Sequence, residues 1–241
     1  MRWTAWDSGR LVRAASAAAV ALGLVWLVTA ATDEGGVSWG ERAGRALPLV
    51  PLCAAVGAWA ALAPVRARGE VVALEALGRS PAGIAASAVA GAALLPLVAA
   101  IAIGFLPGVR VDGFFPTAAR ASSWHWTGSA FVDAARGLSV GADGVPVSVP
   151  VLAGAIGEGF PSFARVSAAA VTLLAGLALP LLLGRWLVAR GRPALDVAAA
   201  GLALAASLVA FQAAAAHRVP ATLAVLPAAG LLVLAARRYR G

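Results

Sequence analysis

Val65–Pro81 reads VRARGEVVALEALGRSP. It is a well-charged segment held between two long apolar runs, and its reading decides the fold. Val71, Val72, Leu74 and Leu77 give it an apolar side, and Arg66, Arg68, Glu70 and Glu75 a polar one, the pattern of a short amphipathic helix. Gly78 suits the left-handed residue that closes a helix. Ser80 is placed to cap the next helix, with Pro81 at its first position, where a missing N–H costs nothing. A helix lying along the membrane face between two spans either rests at the headgroups or is gripped by a soluble partner.

The flanking runs make the membrane setting plain. The chain of 241 residues is 61% hydrophobic and 12% charged, with mean hydropathy +0.87, whereas soluble domains are about half apolar and a quarter charged. Working along the chain, apolar stretches long enough to cross ~30 Å of hydrocarbon fall at Leu11–Ala31, Ala46–Val65, Ala82–Leu106, Arg165–Trp186, Ala194–Ala216 and Ala221–Ala236. The first is too long for a signal peptide, and further spans follow it without a cleavage site. Ser38 and Glu41 have the spacing of a capping box, which predicts a helix starting near Trp39 and entering the second span through Pro48 and Pro51. The third span is rich in Ala and Gly, including Gly91, which favours close helix packing.

Between the third and fourth spans, residues 107–164 form the only sizeable non-membrane region. SWHWTGSAFV at Ser123–Val132 has the form of two strands about Thr127–Gly128. Leu138–Val151 reads as a hairpin about Asp143–Gly144. The expected fold is therefore an all-α integral membrane protein of six transmembrane helices, with a small external β-rich insert between helices 3 and 4. Residues 1–106 hold the first three spans with the amphipathic helix at 65–79, 107–164 the insert, and 165–241 the last three spans.

Charge sets the orientation. All nineteen basic residues are Arg, and the net charge is +8. The arginines flank apolar runs, as topology anchors do, so nucleic acid is not the expected partner. The N-terminus, the 2–3 loop, the 4–5 loop and the C-terminus carry three each; the short loops opposite carry Arg42, Arg45 and Arg218. The insert adds four but is long, and long loops weigh less. Both termini and Val65–Pro81 are expected on the cytoplasmic side. Without Lys the chain has no Walker A loop and no Schiff-base amine. Cys53, the single cysteine, lies in an apolar run, so no disulfide or cysteine-cluster metal site forms within the chain. His125 stands near Ser122, Ser123 and Asp133, but their spacing defines no triad and there is no Gly-x-Ser-x-Gly elbow. No cofactor, metal or catalytic residue is expected.

The order of these features resembles that of the LptF/LptG permeases of the lipopolysaccharide-export ABC transporter. The similarity runs through GRLVRAA at the first span, EGGVSWGERAGRALPLVPL leading into a Pro-containing second span, GEVVALEALGRSPAGI at Gly69–Ile84, LALPLLLGRWLVARGRP at Leu177–Pro193 and VPATLAVLP at Val219–Pro227. WTGSAFVD is similar to the strand that opens the family's jelly roll. Glu70, Leu74, Gly78 and Ser80 match the family pattern, whereas Glu75 stands where the family usually has Arg, and the insert is far shorter than a full jelly roll. The resemblance implies a lipid or glycolipid exporter of the bacterial inner membrane. Glu70, Val71, Leu74, Glu75, Leu77 and Gly78 would couple it to a cytoplasmic ABC ATPase present in two copies. A second permease subunit, identical or homologous, would complete a lateral opening lined by the first and fifth spans. Trp124, Trp126, Gln212 and Arg218 are the candidates for lipid contact. A membrane scaffold that keeps the fold but moves nothing, or a lipid-modifying enzyme, is the alternative.

Overall fold

The computed structural model describes residues 4–32, 38–115, 125–133, 138–141, 143–144, 163–188, 193–216 and 218–240. Among them, six helices are long and apolar enough to cross a membrane. α1 spans Ala5–Thr32, six residues earlier than expected. The extension has a local cause: Thr4 Oγ1 accepts from the Asp7 N–H, and the Asp7 carboxylate accepts from the Thr4 N–H at 3.0 Å, a reciprocal cap that starts the helix ahead of the apolar run. α2 (Trp39–Ala46) begins at the expected capping box, with Ser38 Oγ accepting from Glu41 N–H and Glu41 Oε2 from Ser38 N–H. A 3₁₀ turn at Leu47–Leu49, holding Pro48, joins it to α3 (Val50–Ala67).

The segment expected as one helix over 65–79 is divided. Val65–Ala67 complete α3, and the separate α4 covers Glu70–Ala76. Gly69 (φ 72) and Gly78 (φ 82) bracket it. Both lie in the left-handed region that glycine enters without a Cβ penalty. α5 (Pro81–Phe105) starts as anticipated, with Ser80 Oγ accepting from Gly83 N–H at 3.1 Å. α6 (Ala164–Val188), α7 (Pro193–Ala215) and α8 (Val225–Arg240) complete the bundle.

The helices alternate in direction, so the bundle has two ends. Asp7 and Arg10 of α1, the start of α5 at Ala82, Trp186 of α6, Asp196 of α7 and Tyr239 of α8 all meet at the end that carries α4. The starts of α1 and α7 and the ends of α6 and α8 thus share that end. At the other end, Arg110 N–H donates to Gly40 O of α2 at 3.4 Å, and Arg165 donates to Leu106 O at 2.9 Å and to the carbonyl of Val109. Phe114 and Phe115 pack edge-on against Phe211 of α7, at 5.8 and 4.9 Å between ring centroids.

Small residues set the helix spacing. A Cβ on Gly91 of α5 would lie 2.2 Å from the Leu11 carbonyl oxygen of α1, and one on Gly57 of α3 would lie 2.4 Å from that of Ala14. A Cβ on Gly176 of α6 would lie 2.3 Å from that of Pro96, buried in α5. The backbones therefore approach as only glycine allows. α3, α5 and α6 form the interior, while α1 and α7 are the least buried spans. The buried residues of α1 are Asp7, Arg10, Ala14 and Ala18, all in its first half. Val20, Leu24, Leu27 and Val28 point outward.

Within the insert the described residues form a three-stranded antiparallel sheet, β1 (His125–Trp126), β2 (Ala130–Asp133) and β3 (Leu138–Gly141), in that order. The turn expected at Thr127–Gly128 joins β1 to β2, with Gly128 at φ 95. β3 supplies the first half of the second expected hairpin, and Gly144 N–H closes a turn onto Gly141 O at 2.9 Å. The second valine-rich half lies outside the described residues.

Candidate functional site at the α4 end

α4 is too short to hold itself. Seven residues fall well below the ~12 at which isolated helices become marginal, so tertiary contacts must fix it. Val71 is buried and Leu74 half-buried against a cluster formed by Leu62 and Val65 of α3, Ile84 of α5 and Leu187 of α6. This inward pair is the apolar stripe read from the sequence. Val72 and Leu77, read there as part of the same stripe, face the other way, at 60% and 81% exposed. A seven-residue helix ended by Gly78 cannot carry all four on one side.

Ionic contacts then tie the segment to α1. Glu70 Oε2 accepts from Arg10 at 2.9 Å, and Oε1 from Arg68 Nε at 2.5 Å. Arg10, itself buried, also donates to the Ala61 carbonyl of α3. Just beyond α4, Arg79 grips Asp7 with both nitrogens, at 3.1 and 2.7 Å. This is the fork-to-fork geometry of a strong guanidinium–carboxylate pair. The Trp6 ring takes Arg10 at 4.8 Å and Arg79 at 5.3 Å from its centroid, so one indole joins the two ion pairs. The hydrogen bond from Arg68, helped by the charges of Arg68 and Arg10, holds the Glu70 carboxyl below its ordinary value against partial desolvation. The bond to Asp7 raises the Arg79 guanidinium further above its ordinary range.

The rest of this end is fastened in the same way. Arg66 donates to Trp186 O at 2.9 Å, Tyr239 Oη to Ala82 O at 2.5 Å, and Arg238 pairs with Asp196. In the sequence Arg10 and Arg79 count only among the arginines that set the orientation, and nothing pairs them with Asp7 or Trp6. Asp7 and Arg10 stand three apart in α1, and Arg79 lies 72 residues from Asp7, which leaves no local signature.

Of the residues anticipated for coupling, Glu70, Val71 and Leu74 thus bind within the chain, and Glu75, Leu77 and Gly78 remain on the exposed side with Val72. The exposed face of α4 is apolar with one acid. It is backed by a network that ties the helix to α1 and, through Arg10, to α3.

The anticipated lipid contacts do not assemble. Trp124 lies outside the described residues, as do His217 and the basic stretch 189–192. Trp126 is on β1 of the insert. Gln212 is exposed in the last turn of α7, close enough to the interface for its amide to reach water. Arg218 is exposed in the tight connection to α8, its N–H bonded to Ala213 O at 2.9 Å. Among the described residues, no group of three or more His, Cys, Asp or Glu side chains is placed to hold a metal.

Comparison with family models, with curated proteins and with solved structures finds no match. Fold and site together define a multi-pass membrane protein whose short surface segment is anchored by ion pairs to its first span.

Proposed function

We propose that the chain is the permease subunit of an ABC-type transporter that extracts or exports a lipid or glycolipid, as its similarity to the LptF/LptG permeases implies. A separate cytoplasmic ATPase supplies the energy, and α4 is the coupling helix. The observation that carries this reading is the two-sidedness of α4: it is fastened on one face by Glu70, Val71 and Leu74 and offers Val72, Glu75 and Leu77 on the other. A surface helix that only rested at the headgroups would not need two ion pairs to hold it against the first span.

The mechanism follows from the connections. The ATPases grip the exposed face of α4 and close on ATP. Arg10–Glu70 and Arg79–Asp7 carry that displacement into the beginning of α1. α1 packs through small residues in its first half and exposes apolar side chains over its second half, so it is the span best suited to respond by a rigid-body shift. The exposure of α1 and α7 supports a lateral opening lined by these spans and completed by a second permease chain. The arginine distribution supports a cytoplasmic α4 end and an inner-membrane location. Because the chain has no Lys, the ATP site belongs to the partner.

Affinity purification of the tagged chain in mild detergent tests this directly. An ABC ATPase should co-purify, and lipid should stimulate its turnover. Val72→Asp with Leu77→Asp should abolish the association while leaving a monodisperse, folded membrane protein. These positions are better probes than Glu70 or Leu74, whose loss would disturb the chain itself. An ATPase that stays bound to the double variant, or none in the wild-type complex, would overturn the proposal.

A further inference from the structure

The insert carries an aromatic row that the transport reading leaves unused. Trp126, Phe131 and Val140 are direct cross-strand partners on β1, β2 and β3, so their side chains share one face of the sheet. The Trp126 and Phe131 rings meet at 4.8 Å between centroids and are 47% and 50% exposed. On the other face, Ser139 is buried and Val132 half-buried. The polar serine is covered while the aromatic pair is bare, the reverse of what water around a free sheet favours.

The covalent attachment of the sheet indicates what meets this face. Phe115, ten residues before β1, is buried in the bundle, and Arg165, two residues past Phe163, is clamped to the carbonyls of Leu106 and Val109. Ten residues reach at most about 35 Å, so the sheet stays within that distance of the bundle end where α2 begins. Trp39, Phe105 and Phe163 are exposed at that same end, at 58%, 82% and 67%. They form the kind of aromatic belt that marks the boundary between headgroups and hydrocarbon. A bilayer surface is therefore always within reach of an exposed indole and phenyl, side chains suited to the headgroup layer.

We infer that the sheet docks on the membrane surface, with Trp126 and Phe131 seated among the lipid headgroups and acyl-chain ends. The partner is the bilayer itself, not a soluble protein or a second copy of the chain. This inference rests on the membrane spans and the sheet alone, and it stands whether or not the protein transports anything.

The test uses full-length protein in phosphatidylcholine vesicles. Cys53→Ala removes the native thiol. Val140→Cys or, as a control at the turn, Ser129→Cys then receives a small environment-sensitive fluorophore. With Trp126 and Phe131 intact, the label at 140 should be quenched by lipids bearing a nitroxide near the headgroup and shielded from aqueous iodide. The label at 129 should show the opposite. Adding Trp126→Ser and Phe131→Ser should return the label at 140 to iodide. Equal iodide quenching at 129 and 140 would mean a free surface, and protection of 140 from both quenchers would mean a covering protein. Either result overturns the inference, and neither bears on ATPase association.

Discussion

Arg79→Met probes the tie between α4 and the first span. The Asp7 carboxylate is 6% exposed and Arg79 22%. Removing the guanidinium leaves Asp7 with Thr4 but, among the described residues, no paired countercharge. Breaking a fully buried pair from one side costs roughly 3–5 kcal/mol. Arg79 is partly open to water, so the lower end, about 3 kcal/mol, applies, and loss of its stacking on Trp6 adds about 0.5 kcal/mol. Asp7→Asn keeps the hydrogen-bonding shape at the helix start, so in that background Arg79→Met should cost only about 1 kcal/mol. The double-mutant cycle then gives a coupling of about 2–3 kcal/mol. Equilibrium unfolding in mixed micelles, followed by far-UV circular dichroism, measures all four corners. A coupling under about 0.5 kcal/mol, the scale of an exposed surface pair, would refute the claim that this contact anchors α4 to α1.

Three further outcomes follow from the same geometry. Gly91→Ala should cost about 2–3 kcal/mol, because its Cβ would meet the Leu11 carbonyl at 2.2 Å, while Gly104→Ala on the same helix, with nothing within 4 Å, should be neutral or stabilising; thermal unfolding in detergent compares the two. Glu70 has a depressed folded pKa, so its stabilisation is fully present above its unfolded pKa and is lost as pH falls through the lower folded value. Relative to wild type, Glu70→Gln should be less stable at neutral pH, and the gap should narrow on acidification; a gap independent of pH would count against the Arg10–Glu70–Arg68 contact. Ser80→Ala should cost about 1 kcal/mol by removing the cap on α5 and Ser80→Asp should restore it, as read by the same unfolding titration.

Much of the fold could be read directly because the bilayer imposes it. A run such as Ala82–Leu106 must be helical, since lipid offers no other partner for its backbone, and Ser80–Pro81 fixed where that helix starts. The errors fell where local chemistry outweighed hydropathy. α1 starts at Ala5 because Thr4 and Asp7 cap each other, a polar device upstream of the apolar run. The 65–79 helix divides because one backbone angle at Gly69 turns positive, and a single glycine inside a helical pattern carries too little signal to place that break.

The site was legible only in outline, for a reason visible in α4. Amphipathicity assigns an apolar and a polar side, and it assumes that the apolar side faces inward and charges face out. At this end the assumption fails twice. Glu70 and Asp7 turn toward the bundle because Arg68, Arg10 and Arg79 meet them there, and Val72 and Leu77 turn outward because a seven-residue helix has no room to bury them. Each inversion depends on a residue far along the chain, Arg10 sixty positions from Glu70 and Asp7 seventy-two from Arg79, which periodicity cannot register. An acid held inward by arginines, beside bare aliphatics on a short fixed helix, is an arrangement with a stable side and a vacant one. The vacant side is what a partner would use, and the stable side is what would make its grip felt in the first span.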